Sequence, residues 1–144
     1  ILVPTQKNKK ETIEAVKDLA TKMEFGRICT LSIEEHDKMI GFLSQLTHVI
    51  AVSLMNTHDN AHLVEYTGDS FRDLTRIAKI NEDLWTELFI MNKDILLDEI
   101  NQFIDSISHF RDSLEQEDTQ EMKRLFIQST KRRDKFNKTD AKKR

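Results

Sequence analysis

Apolar side chains recur at helical spacing along most of this chain, and the first such stretch lies between residues 9 and 24. One face of the stretch is apolar, which predicts an amphipathic helix, and Gly26 is suited to end it. The apolar positions are Ile13, Val16, Leu19, Ala20 and Met23.

Short apolar segments on either side of that helix, residues 1–3 and 27–31, predict two strands. Strand, helix and strand together predict a right-handed crossover with parallel strands. Two parallel strands do not form a stable sheet by themselves. We therefore expect residues 1–31 to be the last part of an α/β domain whose other strands precede them. An autonomous two-stranded appendage is the alternative.

A second helical stretch, from Ser32 to about Asn56, is apolar on nearly all sides, which predicts a central, buried helix. Ser32 and Glu35 form the capping-box pattern at its start. Its small and polar residues share one stripe: Asp37, Gly41, Ser44 and His48, continued by Ala51 and Met55. Because an unpaired buried polar group costs about 1–3 kcal/mol, we expect the stripe to meet another helix, water or a ligand. Ordinary paired core groups are the alternative.

Two further helices are predicted after a polar stretch over residues 57–70. The first is short, with Ser70 as its cap, and ends at Ala78. Asn81 caps the second and longest, over residues 82–115. Six apolar residues inside it follow the alternating spacing of 4 and 3 that is typical of a coiled-coil seam. They are Leu96, Ile100, Phe103, Ile107, Phe110 and Leu114.

The last predicted helix begins at Asp118 and Glu121, which resemble a capping box, and gives way to a basic tail. Residues 131–144 contain eight Lys/Arg and two Asp, a net charge of +6, so the rest of the chain carries −9. We expect residues 131–144 to be a disordered, solvated tail. Contact of the tail with a polyanion is the alternative.

Composition supports a mainly α fold. The 144 residues include only three Gly and one Pro, which excludes a many-turned β-sandwich, and 38% hydrophobic residues exclude wholesale disorder. The single cysteine, Cys29, excludes an intramolecular disulfide and a cysteine-rich zinc site. The acidic body is not a nucleic-acid-binding domain, and no apolar run reaches the roughly 20 residues that span a bilayer. We therefore expect neither a nucleic-acid nor a membrane partner.

The sequence contains no glycine-rich phosphate loop and no nucleophile motif, so candidate chemistry depends on a few side chains. Asp73 and Arg76 are spaced to share a helix face, and an arginine beside a cleft binds a carboxylate through a bidentate pair. An ordinary surface ion pair is the alternative. Trp85 fits either core packing or a pocket wall. His58 and His62 have metal-binding spacing but lack a third ligand, so no metal site is predicted.

Over residues 1 to about 115 the chain resembles the C-terminal part of prephenate dehydrogenases. The segments that carry the resemblance are Glu35-His36-Asp37, Ser44-x-x-x-His48, Phe71-Arg-Asp-Leu-Thr-Arg-Ile-Ala78, Leu84-Trp85 and Asn92-Lys93. The family's Ser-His-Leu-Pro-His stretch is altered here, since Gln45 replaces its first histidine and Thr47 its proline. The family's glycine-rich loop before Phe71 is reduced to Gly68-Asp69-Ser70.

The resemblance implies that residues 1–31 are a remnant of a Rossmann-type nucleotide-binding domain. It implies that residues 32–130 form an all-helical dimerisation and substrate domain. The family converts prephenate to 4-hydroxyphenylpyruvate in tyrosine biosynthesis by NAD- or NADP-dependent oxidative decarboxylation, and the implied protein is a cytoplasmic homodimer. Its catalytic histidine and dinucleotide loop belong to the nucleotide-binding domain, so we expect the chain alone to be inactive.

By position, the resemblance implies roles for five residues. Arg76 matches the arginine that binds a prephenate carboxylate, and His48 matches a histidine that lies against the substrate and the nicotinamide. Ser44 opens the same stretch, Trp85 lies at the pocket edge near the dimer interface, and Asp73 supports the loop before Arg76. Arogenate, which has an amino group where prephenate has a keto group, is an alternative substrate. A non-catalytic helical dimerisation module is the alternative function.

Overall fold

The computed structural model describes residues 1–59 and 61–140. The chain divides into two compact units, Ile1–Ile100 and Asn101–Arg144. The helices follow in the order α1 (Lys10–Lys22), α2 (Ile33–Ile40), a π-helical segment (Gly41–Leu46), α3 (Thr47–Thr57), a 3-10 helix (Ala61–Tyr66), α4 (Asp69–Thr75), a 3-10 turn (Arg76–Ala78), α5 (Glu82–Met91), α6 (Lys93–Glu115) and α7 (Thr119–Asp140). The mainly α prediction is confirmed.

The segments predicted as strands on either side of α1 pair at one point only. Leu2 and Thr30 form an isolated parallel bridge, in which the Leu2 N–H donates to the Cys29 carbonyl at 2.8 Å and the Leu31 N–H donates to the Leu2 carbonyl at 2.9 Å. The direction is that of a parallel crossover, but no strand forms in the part of the chain that the structure describes. A ladder of two parallel strands lacks the neighbours that would extend it.

Helix α1 ends differently from the prediction. Glu24, not Gly26, takes the left-handed conformation, with φ of 61°. The Phe25 N–H donates to the Ala20 carbonyl and the Glu24 N–H to the Thr21 carbonyl, which is the Schellman pattern of a helix C-terminus. Gly26 therefore lies beyond the capping position.

The predicted central helix is continuous from Ile33 to Thr57 and contains a widened turn of π-helix in its middle. The capping box at its start is confirmed: the Glu35 N–H donates to Ser32 Oγ, and the Ser32 N–H donates to Glu35 Oε2 at 2.8 Å. The hydrogen bonds that the Ser32 N–H and Ser32 Oγ donate to the Glu35 carboxylate lower the pKa of Glu35. Burial is one-sided, because Leu46 and Ala51 are buried while Phe42 and Leu43 are exposed.

This 25-residue helix is also long and apolar enough to cross a membrane, with a mean hydropathy of 1.4 over its most apolar window. The expectation that no segment reaches that length is therefore wrong on length and composition. The helix nevertheless buries a glutamine, Gln45, against other helices of the first unit. Of the most apolar window, 22% is buried within the structure, and length and composition alone do not show a membrane span.

Two predicted boundaries further along the chain are wrong. Gly68 occupies the capping position of α4 and Ser70 lies inside the helix. The long helix predicted over residues 82–115 is two helices, because Asn92 leaves helical geometry with φ of −117° and ψ of 28°. The predicted cap is confirmed, since Asn81 Oδ1 accepts from the Leu84 N–H at 2.9 Å.

The second unit joins the end of α6 to α7 through a tight turn at Glu117, whose φ is 53°. Asp118 caps α7 as predicted, because its Oδ1 accepts from the Glu121 N–H at 2.9 Å. Phe110 and Phe126 pack across the two helices with ring centroids 6.0 Å apart. Helix α7 continues to Asp140, so the basic segment is helical over residues 131–140 rather than disordered, in line with the good helix propensity of Lys and Arg. Residues 141–144 lie outside the described residues.

A cluster of charges joins α6 to α7. Glu121 accepts from Nε2 of His109 at 2.7 Å and from Nε of Arg124 at 2.6 Å. The hydrogen bond from Arg124, followed by that from His109, lowers the pKa of Glu121 to about 2. The carboxylate is therefore ionised at any pH at which the chain is handled.

We expect Glu121→Gln to lower the melting temperature at pH 7. Because the folded-state pKa of Glu121 is depressed, its contribution to stability is present above pH 4.5 and is lost as the pH falls toward about 2. The difference between variant and parent, followed by circular dichroism, should shrink over that interval. Glu115→Gln, at the end of α6, is the control. A difference that stays constant with pH would contradict the assignment.

Candidate functional site

The widened turn of π-helix lies where the central helix touches α6. Gly41, the first residue of this turn, is buried, and a Cβ atom built on it would lie 2.9 Å from Cγ2 of Ile95. That distance is shorter than ordinary contact between carbon atoms. Glycine therefore permits a helix-to-helix approach that a side chain would block.

Two side-chain amides fill the space beside this contact. Gln45 is only 4% exposed, and its Nε2 donates to the carbonyl of Leu88 in α5 at 3.0 Å. Asn92, between α5 and α6, donates through Nδ2 to Gln45 Oε1 at 2.8 Å and to the carbonyl of Asp37 at 3.1 Å. The two amides thus link the central helix to the junction of α5 and α6.

The inward polar stripe differs by one residue from the predicted one. Gln45, rather than Ser44, follows Asp37 and Gly41 on the side that faces α5 and α6. A π-helical turn holds more residues than an α-helical turn, so positions counted at a spacing of 3.6 shift after it. A buried glutamine in an otherwise apolar helix was the available signal, and strict helical spacing concealed it.

His48 follows the widened turn and stacks on Trp85 of α5. The ring centroids are 3.7 Å apart and the planes are inclined by 30°, and Phe89 meets Trp85 edge-on at 5.6 Å. His48 Nδ1 lies 2.8 Å from the Ser44 carbonyl. Because a carbonyl only accepts, Nδ1 carries a proton, so the neutral tautomer that fits this contact has Nε2 as its acceptor.

The structure therefore brings three of the five predicted site residues together. Ser44, His48 and Trp85 meet, although Ser44 takes part through its backbone carbonyl. Trp85 and His48 are both half-buried, so each ring keeps part of its surface open to solvent. An imidazole with a fixed tautomer against an indole plane suits the positioning of a flat, partly apolar ligand.

Arg76 and Asp73 lie on a separate element, α4 and the 3-10 turn that follows it. That element packs against α3, where a groove of about 360 Å³ is lined by Val52, Met55, Asn56, Thr75, Ala78 and Lys79. Arg76 and Asp73 are exposed. The ion pair that their spacing would allow, which was the alternative interpretation, is absent: within residues 1–59 and 61–140, Asp73 and Arg76 form no ion pair. The guanidinium of Arg76 is thus available to an anion.

A larger groove, of about 480 Å³, runs between the end of α3 and α4. Arg72 and Phe71 line one side, and Leu54 and His58 line the other. Across the described part of the chain, no group of three metal-ligating side chains comes together. His62 contacts Glu65 at 3.4 Å.

Comparison with known proteins places this arrangement in a family. The model of the family described as "Prephenate dehydrogenase, dimerization domain" matches residues 32–128, which include the widened turn, the ring stack and Arg76. The chain belongs to this family. The prephenate dehydrogenase dimerisation domain thus accounts for the helices from α2 through the first part of α7.

Relatives and solved structures of this family extend the match. The chain is 34% identical over 131 residues to "Prephenate dehydrogenase" of Bacillus subtilis, covering 88% of this chain and 35% of that protein. It is 29% identical over 139 residues to "Cyclohexadienyl dehydrogenase" of Zymomonas mobilis, covering 92% of this chain and 47% of that protein. The chain therefore spans between about a third and a half of the length of these relatives.

Among solved structures, the chain is similar to prephenate dehydrogenase from A. aeolicus in complex with hydroxyphenyl propionate and NAD+. The TM-score is 0.81 at 29% identity, over 91% of this chain and 47% of that one. Synechocystis arogenate dehydrogenase gives a TM-score of 0.79 at 18% identity, over 93% and 50% of the two chains. The second likeness shows the shared fold alone.

We expect Gly41→Ala to destabilise the chain by about 1–3 kcal/mol, the usual cost of an added methyl group in a packed contact. The new Cβ would lie 2.9 Å from Ile95 Cγ2, so α6 or the widened turn must shift. Urea denaturation followed by circular dichroism measures the change. Gly26→Ala is the matched control, because nothing lies within 4 Å of its Cβ position. Equal stability of the two variants would show that the contact is not close.

Proposed function

We propose that this chain is the substrate-binding and dimerisation part of a prephenate dehydrogenase. The proposed reaction is the oxidative decarboxylation of prephenate to 4-hydroxyphenylpyruvate, with NAD+ or NADP+ as oxidant, in tyrosine biosynthesis in the cytoplasm. The observation that carries the proposal is the stack of His48 on Trp85 inside the matched dimerisation domain. The A. aeolicus relative, bound to hydroxyphenyl propionate and NAD+, supports it.

The proposed role of Arg76 is to bind a carboxylate of prephenate. Prephenate carries two carboxylates, and a guanidinium pairs with one through two parallel, charge-assisted hydrogen bonds. Arg76 is exposed and forms no ion pair with another residue that the structure describes. The five N–H donors of its guanidinium are therefore not paired with Asp73 and can bind an anion.

The proposed role of the ring stack is to orient the substrate. Trp85 offers an apolar plane against which the six-membered ring of prephenate can lie. With Nδ1 donating to the Ser44 carbonyl, the neutral tautomer of His48 presents Nε2 as an acceptor. A hydrogen-bond donor on the substrate or on the nicotinamide amide would fit that nitrogen. Orientation of this kind lowers the barrier by holding reacting groups in line.

The dinucleotide itself does not fit the residues of this chain. The 144 residues contain no glycine-rich loop of the type that holds a pyrophosphate at a helix N-terminus. We therefore assign to this chain at most the contact of His48 with the nicotinamide, and no transfer step. Binding and orientation of the organic substrate are the functions that its own side chains support.

Dimerisation through the helical domain is the second part of the proposal. Large apolar side chains are exposed along α5 and α6, including Ile90 at 66%, Met91 at 76% and Ile104 at 52%. Such exposure is unusual for a monomer and typical of a subunit interface. The match to a family described as a dimerisation domain supports the same conclusion.

Arogenate is the second candidate substrate. The loop before α4 lacks most of the glycines expected from the family pattern, since Gly68 is followed directly by Asp69 and Ser70. In the proposed site, a change in this loop alters the backbone groups that line the substrate. The ratio of kcat/KM for prephenate and arogenate decides between the two, and activity with neither would favour a non-catalytic dimerisation module.

We expect Arg76→Ala to raise KM for prephenate about 10- to 100-fold, because a hydrogen-bonded charge pair contributes roughly 1.5–3 kcal/mol. The assay follows NAD+ or NADP+ reduction by the product of the reading frame that encodes this chain. Lys79→Ala removes a neighbouring surface cation and is the matched control. An unchanged KM in Arg76→Ala would remove this residue from the site.

We expect the chain to have a solution mass near twice 16.9 kDa, measured by light scattering after gel filtration. Leu97→Glu, on the exposed face of α6, should shift the mass toward that of a monomer, because a charge is costly in an apolar interface. Leu19→Glu, on α1 and outside the matched domain, should leave it unchanged. A parent chain that is monomeric at all concentrations would contradict the dimer.

A further inference from the structure

Gln45 is a buried polar side chain that the proposed substrate contacts do not use. It is 4% exposed, lies in the widened turn, and precedes His48 by three residues. We propose that Gln45, held by Asn92, is a positioning residue that sets the geometry of the stack between His48 and Trp85. The inference rests on the proposed function, because it assigns the stack to the substrate site.

The contacts of Gln45 and His48 fall on one face of α5. Trp85, Leu88 and Asn92 are spaced by three and four residues, which places them in line along that helix. His48 meets Trp85, and Gln45 meets Leu88 and Asn92 one turn further along. The amide contacts therefore restrict sliding and rotation of α5 against the widened turn. The position of α5 then determines the distance between the rings of His48 and Trp85.

The hydrogen bond to α5 uses a carbonyl that has lost its helical partner. In a continuous helix the Leu88 carbonyl would accept from the N–H of residue 92. Here the Asn92 N–H bonds to the Ile90 carbonyl instead, as the chain leaves helical geometry. Gln45 Nε2 takes the vacated place at 3.0 Å. An apolar residue at position 45 would leave that carbonyl without this partner, at a cost typical of an unmade hydrogen bond.

A primary amide meets both demands at this position. Gln45 donates to the Leu88 carbonyl and at the same time accepts from Asn92 at 2.8 Å. A glutamate there would still accept from Asn92 but would oppose the Leu88 carbonyl. A leucine would do neither. Gln45→Glu and Gln45→Leu thus both remove the donor to the Leu88 carbonyl.

Fluorescence of the 144-residue chain tests the positioning role without any substrate. Trp85 is its only tryptophan, and an imidazole in contact with an indole, above all in its protonated form, quenches the indole emission. His48→Ala should therefore raise the emission in the parent. In Gln45→Leu and Gln45→Glu the same His48→Ala change should have little or no effect, because the rings no longer meet. Gln120→Glu, on the exposed surface of α7, should retain the full effect.

A further variant distinguishes loss of the positioning contact from loss of folding. Asn92→Ala removes the donor to Gln45 from a half-buried position, and it should weaken the quenching by His48 while circular dichroism stays that of the parent. If His48→Ala raises the emission equally in the parent, in Asn92→Ala and in the Gln45 variants, the positioning role is overturned.

Kinetics then separate this inference from the proposed function. In the product of the encoding reading frame, Gln45→Leu should lower kcat about 10- to 100-fold, because a small displacement of an orienting group has effects of that size. KM for prephenate should change less than in Arg76→Ala. If quenching depends on Gln45 but the product of that reading frame turns over neither prephenate nor arogenate, the positioning role is retained and the enzyme assignment is refuted. Turnover with unchanged kcat in Gln45→Leu would refute only the positioning role.

Discussion

The constraint on which the site depends is the pairing of a backbone carbonyl, that of Leu88, at the junction where α5 ends and α6 begins. At Asn92 the chain leaves one helix and enters the next, and the Leu88 carbonyl loses its usual donor. The Gln45 amide replaces that donor, and Asn92 holds Gln45 and so links the junction to the widened turn. Buried polar groups in proteins are nearly always hydrogen-bonded. Because hydrogen bonds are directional, these bonds restrict the relative position of α5 and the central helix more than apolar packing would. The ring stack is a consequence of that position.

Few apolar side chains are buried in the first unit, in contrast to the hydrogen-bonded amides of Gln45 and Asn92. Among the described residues, the buried apolar side chains are Leu46, Ala51 and Leu96, while many larger ones remain more than one-third exposed. A chain of this size ordinarily hides most of its large apolar residues. A single chain therefore holds its site with directional hydrogen bonds and a close glycine contact. The remaining apolar surface fits the subunit contact that the proposed dimer requires.

Features that depend on neighbouring residues could be predicted from the sequence, whereas features that depend on distant partners could not. The caps at Ser32, Asn81 and Asp118 were predicted because each bonds only three residues away. The widened turn and the interruption at Asn92 were missed because amides more than 40 residues apart stabilise them. Because the widened turn was not predicted, the inward-facing polar stripe was assigned to Ser44 instead of Gln45. The two predicted strands form only one bridge for a related reason, since a strand is stabilised by hydrogen bonds to neighbouring strands.

The two proposed functions of the site, orientation of a ring by the stack and binding of a carboxylate by Arg76, lie at different positions along α3. The ring stack lies against the first turns of α3, next to the widened turn, whereas Arg76 lies on an element that packs against α3 further along. A guanidinium on an exposed 3-10 turn contributes charge, which acts over several ångströms and tolerates small displacements. A stack at 3.7 Å acts only at contact, so it tolerates almost none. This difference in range explains why buried amides support the stack, while the arginine stands on a short exposed turn without an ion-pair partner among the described residues.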